Sequence, residues 1–309
     1  MANISFLMGK NFENNLSKED IVNILLKYPL GEYVSHKFLK VSSGTVRSSN
    51  YKLKTSLGNF VLKVENIKSK ELRLANFVIN SLYKKGVLVQ GIYRTIKRRY
   101  YTLYKKKYIT IKQYLEGKNP TFFSDSLIKQ VAKNLTLMQK VFLKLDTYIP
   151  KRSFFEELYD DYCFKKREAK KSYWKLYDKW VEGYNSIDFN SLRKCLSHGD
   201  LIEINMIVNN DKLMGFIDFE EMGKDFLISD VCSFMSMVLM ETNFKNLRDL
   251  KHSYKVFLKE YQRYMELNSE EKKALYYFIG LDLLRCESLR HRAKDFNKIS
   301  FEEFMTFFN

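Results

Sequence analysis

Proline is scarce in this 309-residue chain, which holds only Pro29, Pro120 and Pro150. No Pro-, Gly- or Ser-rich stretch separates independent modules, so closely docked lobes are expected rather than beads on a string. The four cysteines, Cys163, Cys195, Cys232 and Cys286, are widely spaced and form no CxxC pair. This argues against a disulfide framework or a zinc site and points to a reducing, cytoplasmic setting. Long apolar runs are missing as well. The most apolar stretch, Phe226 to Met240, is broken by Ser229, Asp230, Ser233 and Ser236, so it falls short of the ~20 apolar residues of a bilayer span. No basic segment followed by an apolar core and cleavage site opens the chain, so a secretion signal is not expected.

Acidic residues are outnumbered, 36 against 53 basic ones, for a formal charge of +17. Forty of the basic residues are lysine, and Lys, Asn, Ile, Tyr and Phe are abundant together, as an AT-rich coding sequence would give. The densest block, Arg94 to Lys107, interleaves Arg98, Arg99 and Lys105-Lys106-Lys107 with Tyr100, Tyr101 and Tyr104. Such a block can grip a polyanion backbone and stack bases. It also fits an antiparallel hairpin with solvated, charged turns. The hairpin is the expectation, because the block lies between strand-like segments, and nucleic acid is not the expected partner. A monomer or homodimer is expected.

The 45% apolar content marks a globular chain, long enough for one large core or two. Ser17-Lys18-Glu19-Asp20 has the form of a capping box and opens a helix that stops before Pro29-Leu30-Gly31. Strands are predicted over Tyr33 to Val41, Asn50 to Thr55 and Phe60 to Glu65, the last two joined at Ser56-Leu57-Gly58-Asn59. Ser69 caps a helix with Leu74, Phe77, Val78, Ser81 and Leu82 on one face and Glu71 on that same face. Beyond Glu116-Gly117-Lys118-Asn119-Pro120, which reads as a hinge, the pattern is mostly helical. A nucleotide-binding lobe over residues 1–115, a hinge near 108–117 and a helical lobe over 116–309 are therefore expected. The fold class is α+β, with a small antiparallel-sheet lobe carrying one key helix and a larger, mainly helical lobe.

The chemistry concentrates in Ser197-His198-Gly199-Asp200-Leu201-Ile202-Glu203-Ile204-Asn205 and Ile217-Asp218-Phe219-Glu220. Between them Met206-Ile207-Val208, Asn209-Asn210-Asp211 and Leu213-Met214-Gly215-Phe216-Ile217 read as strand, turn and strand. A hairpin of that length returns Asp218 close to Asn205, so an amide oxygen and a carboxylate can share a hard cation such as magnesium. Asp200 can orient a hydroxyl. Period two puts Val61 and Lys63 on one face of their strand and Phe60, Leu62 and Val64 on the other. Lys63 paired with Glu71 would offer a fixed ammonium to nucleotide phosphates, with Val61 against the base. The turn around Ser43 and Gly44 can present N–H groups and hydroxyls to phosphates.

These motifs resemble the aminoglycoside phosphotransferase, choline kinase and homoserine kinase-like superfamily of small-molecule kinases with a protein-kinase-like fold. The family pattern is HGDxxxxN, an ID[FW] strand end and a downstream Asp at a helix start, here Asp230 in Ile228-Ser229-Asp230-Val231. Asp200 to Asn205 is five residues and Asp218 to Asp230 twelve. The resemblance extends over residues 33 to 240 and takes in the stretch carrying Asn50, Lys63 and Glu71 and the hinge exit Tyr114-Leu115-Glu116-Gly117. It implies that Asp200 is the catalytic base, that Asn205 and Asp218 hold Mg2+, and that Lys63 holds ATP phosphates with Glu71 orienting it. It also implies that His198 and Asp230 brace the catalytic loop. The chain departs from the pattern at Ile202, where many members have His, and at Met138-Gln139, where many have Leu-His.

The reaction so implied is transfer of the γ-phosphate of ATP, GTP not being excluded, to a hydroxyl of a small molecule that can be an antibiotic. Glu220 and Glu221 could face an amine-bearing acceptor and Arg285 a carboxylate; each fits a solvated surface as well. The acidic run Glu156, Glu157, Asp160 and Asp161 reads as a salt-paired helix start. The alternative function is a non-catalytic kinase-like protein that binds polyanions through the Arg94–Lys107 hairpin.

Overall fold

The structure, a computed structural model, describes residues 16–39, 48–65, 69–145, 174–243 and 247–288. Ser43, Gly44 and the acidic run at 156–161 lie outside them, as does the side chain of Arg285. Two compact units divide the chain: Met1–Asn80 with Gln90–Leu115, and Ser81–Val89 with Glu116–Asn309.

The smaller unit opens with helix α1 (Lys18–Leu25). Its capping box is formed: the Ser17 hydroxyl accepts from the Asp20 N–H at 3.1 Å, and the Asp20 carboxylate accepts from the Ser17 N–H at 3.2 Å. Strands β1 (Tyr33–Leu39), β2 (Ser48–Thr55) and β3 (Gly58–Glu65) precede helix α2 (Ser69–Lys84). Strands β4 (Thr102–Tyr104) and β5 (Lys107–Gln113) follow it. Together they form one sheet of order β1-β2-β3-β5-β4, antiparallel throughout.

Register and the period-two pleat sort the sheet into two chemically distinct faces. Tyr51 and Ile111 flank Leu62, Leu53 flanks Phe60, and Ile109 flanks Val64. All seven are buried in one core with Ile21, Ile24, Leu25 and Tyr28 from α1 and the turn after it. Each such side chain contributes roughly 1.5–3 kcal/mol of apolar burial. The other face carries Val61, Lys63 and Glu65 on β3, with Thr110 and Lys112 opposite on β5. Its four polar members are buried too.

The C-terminal part of the basic block is the β4–β5 hairpin, and Arg94 and Lys105 are engaged within this unit. Lys105 and Lys106 take the two left-handed positions of the β4–β5 turn. The Lys105 ammonium lies 2.8 Å from Asp20, which also accepts from the Tyr104 hydroxyl at 2.8 Å. Arg94 stacks on the Tyr100 ring. The Lys105 and Tyr104 hydrogen bonds hold the Asp20 carboxyl at about 2, below its ordinary 3.8. This contribution to stability is complete above pH 4 and is lost as pH falls through 2. Asp20→Asn is expected to cost about 1 kcal/mol at neutral pH, and its melting curve should converge on the native one between pH 4 and 2. Parallel curves across that range would exclude the linkage.

Helix α2 corrects one expectation. Its buried residues are Leu72, Asn76, Val78, Ile79 and Leu82, whereas Glu71 and Phe77 are exposed. The inner face is rotated by about one residue from the stripe expected, so Glu71 is not on it. The buried polar group on that face is Asn76, whose Nδ2 has no hydrogen-bond partner among the described residues.

The larger unit is built on α3 (Asp125–Phe142), capped by Ser124, with Leu127, Val131, Leu135, Met138 and Phe142 buried. Helix α4 (Trp174–Asn185) leads to β6 (Lys194–Ser197), which pairs with β9 (Gly223–Phe226). Between them β7 (Met206–Asn209) and β8 (Lys212–Phe216) form a separate hairpin. Helices α5 (Ser229–Ser233), α6 (Met240–Asn243), α7 (Leu247–Gln262) and α8 (Ser269–Ser288) complete it. The stretch from Phe226 to Met240 is not one α-helix: β9 ends at Phe226, α5 opens at Ser229, and Phe234–Leu239 winds as a π-helix.

Leu88 joins this unit through hydrogen bonds. Asn134 on α3 accepts from the Leu88 N–H at 2.7 Å and donates to its carbonyl at 3.0 Å, and the Phe216 N–H donates to that carbonyl at 2.9 Å. Among the described residues no helix is long and apolar enough to cross a membrane.

Candidate active site

Strand β6 delivers the loop that carries Asp200, and its start is anchored. Arg193 donates Nε to Glu271 Oε1 at 2.7 Å and Nη2 to Oε2 at 2.6 Å. Glu271 is fully buried on α8. A planar guanidinium held at two points fixes orientation as well as charge.

Beyond Ser197 the chain turns sharply, and Asp230 at the start of α5 gathers the turn. Asp230 Oδ1 accepts from the Ser197 hydroxyl at 2.8 Å and from the Gly199 N–H at 3.1 Å, and Oδ2 accepts from the His198 N–H at 2.8 Å. Gly199 sits at φ 79°, where a side chain would be strained. His198, fully buried, lies against the Phe219 ring with centroids 4.4 Å apart. The Asp200 N–H donates to His198 Nδ1 at 3.3 Å, so Nε2 carries the ring proton and donates to the Ile217 carbonyl at 2.9 Å. One imidazole therefore ties the Asp200 loop to the strand end that precedes Asp218. Cys195, beneath this loop, is a buried thiol pushed well above its usual range, first by burial and then by Asp230 and Asp225. That environment suits packing rather than nucleophilic work.

Asn205 closes the arrangement. Its Nδ2 donates to the Asp200 carboxylate at 2.8 Å and to the Asp200 carbonyl at 2.8 Å. Both amide hydrogens are thus spent on Asp200, and the amide oxygen Oδ1 is turned off that carboxylate. The Ile217 N–H donates to the Asn205 carbonyl at 2.9 Å, which seats Asp218 one residue away. Asp218 is held at φ 63°, a region Asp tolerates better than most residues. The donor set is an amide oxygen and a carboxylate, which fits a hard divalent ion that completes its shell with phosphate and water oxygens.

The hairpin between the two motifs is pinned at its tip. Asn210 and Asp211 adopt φ 48° and 60°, the geometry of a tight hairpin turn. The Asp211 carboxylate accepts from the Ser124 hydroxyl at 2.7 and 2.8 Å. Gln130 accepts from the Leu213 N–H and donates to the Asp211 carbonyl, both at 3.0 Å. Gln139, in the Met138-Gln139 departure, donates to the Leu227 carbonyl at 2.7 Å and accepts from the Tyr261 hydroxyl at 2.5 Å.

Residues 117–119 form a further clamp that sequence reasoning missed. The Lys118 N–H and carbonyl pair with Val208, and Asn119 Nδ2 donates to the carbonyls of Ile204 at 2.7 Å and Met206 at 3.0 Å. A Cβ on Gly117 would stand 2.4 Å from the Val208 oxygen, so only glycine allows that approach. The Gly-Lys-Asn-Pro order was the available signal, but it reads equally well as a hinge.

The structure thus brings Asp200, Asn205, Asp218, His198 and Asp230 together in the larger unit. Lys63 and Val61 lie on the polar face of the sheet in the smaller one, with Lys63 buried. Glu220 and Glu221 are half-buried just after Asp218. Among the described residues no three His, Cys, Asp or Glu side chains form a metal cage.

Residues 38–267 match a family model described as the phosphotransferase enzyme family. The hydroxylysine kinase of Xenopus laevis is 28% identical over 103 residues, 30% of this chain and 26% of its own length. The match therefore spans about a quarter of that relative. A structure of an amicoumacin kinase in complex with AMP-PNP and Ca2+ superposes with a TM-score of 0.66 at 15% identity, covering 95% of this chain and 92% of the other. A spectinomycin phosphotransferase in complex with ADP and spectinomycin gives 0.64 at 13% identity, covering 95% and 94%. At such identities the likeness is one of fold, and the kinase-like α+β fold expected from the motifs is the one observed. With the model spanning well over half of its length, the chain belongs to the phosphotransferase enzyme family.

Proposed function

We propose that the protein is a small-molecule kinase that transfers the γ-phosphate of ATP or GTP to a hydroxyl of an amine-bearing acceptor. The observation that carries this reading is the double donation from Asn205 Nδ2 to Asp200. It fixes the Asp200 carboxylate and turns the amide oxygen toward a different task. In this reading Asp200 accepts the hydrogen bond of the acceptor hydroxyl and takes its proton as the new O–P bond forms and the bond to the leaving nucleoside diphosphate breaks. Lys63 holds nucleotide phosphates as a point charge, and Val61 packs against the base. Asn205 and Asp218 would hold Mg2+, which supplies charge neutralisation on the phosphates when bound. His198 and Asp230 position the loop. Catalysis then rests on orientation and charge, since phosphoryl transfer asks for little covalent help.

The acidic residues Glu220 and Glu221 after Asp218 support a cationic acceptor. The test is a phosphorylation screen with ATP and GTP, in magnesium, across aminoglycosides, macrolides, choline and homoserine. Magnesium-dependent turnover of at least one hydroxyl acceptor is expected. Absence of any thermal stabilisation by either nucleotide, together with steeply salt-dependent binding to polyanions, would replace this reading with the binding protein.

A further inference from the structure

The polar face of the sheet contains a second buried lysine, Lys112, that the reading above does not use. It stands directly opposite Val61 in the β3–β5 register, and Val61 is opposite Lys52 on β2. One row across three strands therefore reads Lys52, Val61, Lys112. Lys52 sets its ammonium over the Tyr114 ring, 4.0 Å from the centroid. The Lys112 side chain is 7% exposed and runs along the sheet to bring Nζ within 3.8 Å of Glu65 Oε1. That oxygen also accepts from the Thr110 hydroxyl at 2.6 Å. The Lys112 ammonium is thus drawn one residue pair beyond Val61, to the level where Lys63 faces Thr110.

A buried lysine–glutamate pair is a poor source of stability, because an apolar pair of the same volume does as well or better. We propose that Lys112 selects the nucleobase, favouring a purine with a carbonyl at position 6 over adenine. The inference rests on the reading of Val61 as the residue that packs against the base. An ammonium is a donor with no acceptor capacity. Guanine presents acceptors at O6 and N7 on that edge; adenine shares the N7 acceptor and differs at position 6, where it carries an amino group, itself a donor. A base seated on Val61 with that edge toward Glu65 meets Lys112 first. A carbonyl there gains a charge-assisted hydrogen bond, and an amino group sets donor against donor. Such a contact is worth about 10- to 100-fold in affinity. The adenine nucleotides of the two structural neighbours belong to proteins only 15% and 13% identical to this chain, so base preference has to be measured here directly.

Titration calorimetry with GDP, IDP and ADP in magnesium tests this. IDP keeps the position-6 carbonyl and lacks the 2-amino group, so it isolates the feature read by Lys112. GDP and IDP are expected to bind alike and at least ~10-fold more tightly than ADP. Lys112→Met should bring the three within about threefold of one another. The double variant Glu65→Gln/Lys112→Met should do the same without a stranded carboxylate, with thermal melting showing that it folds. ADP binding as tight as GDP to the native protein, or selectivity intact in folded Lys112 variants, overturns the inference alone. Failure of all three nucleotides to bind the native protein overturns the nucleotide reading of Val61 and this inference with it.

Discussion

Asp200→Asn should lower kcat by about 10³-fold while leaving nucleotide affinity and the melting temperature near their native values. The size follows from the role: a positioned carboxylate acting as general base contributes 10²- to 10⁴-fold, and a factor of about 10³ is roughly 4 kcal/mol of barrier. The selectivity for kcat follows from the geometry. Asn is isosteric with Asp, and its carbonyl oxygen can still accept from Asn205 Nδ2, which donates to Asp200 at 2.8 Å. The loop also keeps its other ties, the Asp200 N–H on His198 Nδ1 and the Asp200 carbonyl on Asn205. What the variant loses is the charge that receives a proton. Asp200→Ala is a harsher control because it leaves one hydrogen of the Asn205 amide without its carboxylate. Steady-state kinetics beside thermal melts settle the matter, and activity of Asp200→Asn within about tenfold of native would remove Asp200 from the chemistry.

What was legible in the sequence is what is local. His198, Gly199, Asp200, Asn205 and Asp218 lie within two short segments joined by a hairpin, so spacing alone brings them together. The core face of the sheet was legible for the same reason: Phe60, Leu62 and Val64 alternate strictly, and the structure buries all three. The face of α2 was not legible. Its sequence admits two overlapping stripes about one residue apart with four apolar residues each, and the one through Phe77 is not the one the fold buries. Burial of Asn76 in its place is a tertiary choice that helical periodicity cannot see. Lys112 was not singled out in the sequence. In Lys107–Gln113 the polar residues Thr110 and Lys112 alternate with Ile109 and Ile111, and all four are buried. Period two assigns residues to faces, but it does not say whether the polar face meets water. The clamp at residues 117–119 depends on a long-range approach to Val208, which no local pattern encodes.

Asp218→Asn is the second substitution with a large expected effect, and its conformational setting makes it a clean one. Asp218 occupies φ 63°, a left-handed conformation that Asn adopts as readily as Asp. The substitution therefore removes charge without adding backbone strain, and the Ile217 N–H still donates to Asn205. Asp218→Ala would carry both losses, since a Cβ residue without a short polar side chain is strained there by about 1–2 kcal/mol. The proposed oxygen pair for magnesium then falls from one carboxylate and one amide to two amides, which are weaker ligands for a hard ion. Activity should drop by about 10³-fold or more. The distinguishing readout is thermal stabilisation by nucleotide at increasing magnesium. In the native protein the shift should grow with magnesium; in Asp218→Asn it should be small and nearly independent of it. Asp200→Asn should keep the native magnesium response, because its loss lies in proton transfer and not in holding the ion. A full magnesium-dependent shift in Asp218→Asn would mean that the ion is held elsewhere. Loss of that shift in Asp200→Asn as well would merge the two carboxylates into one metal site and leave the acceptor hydroxyl without its base.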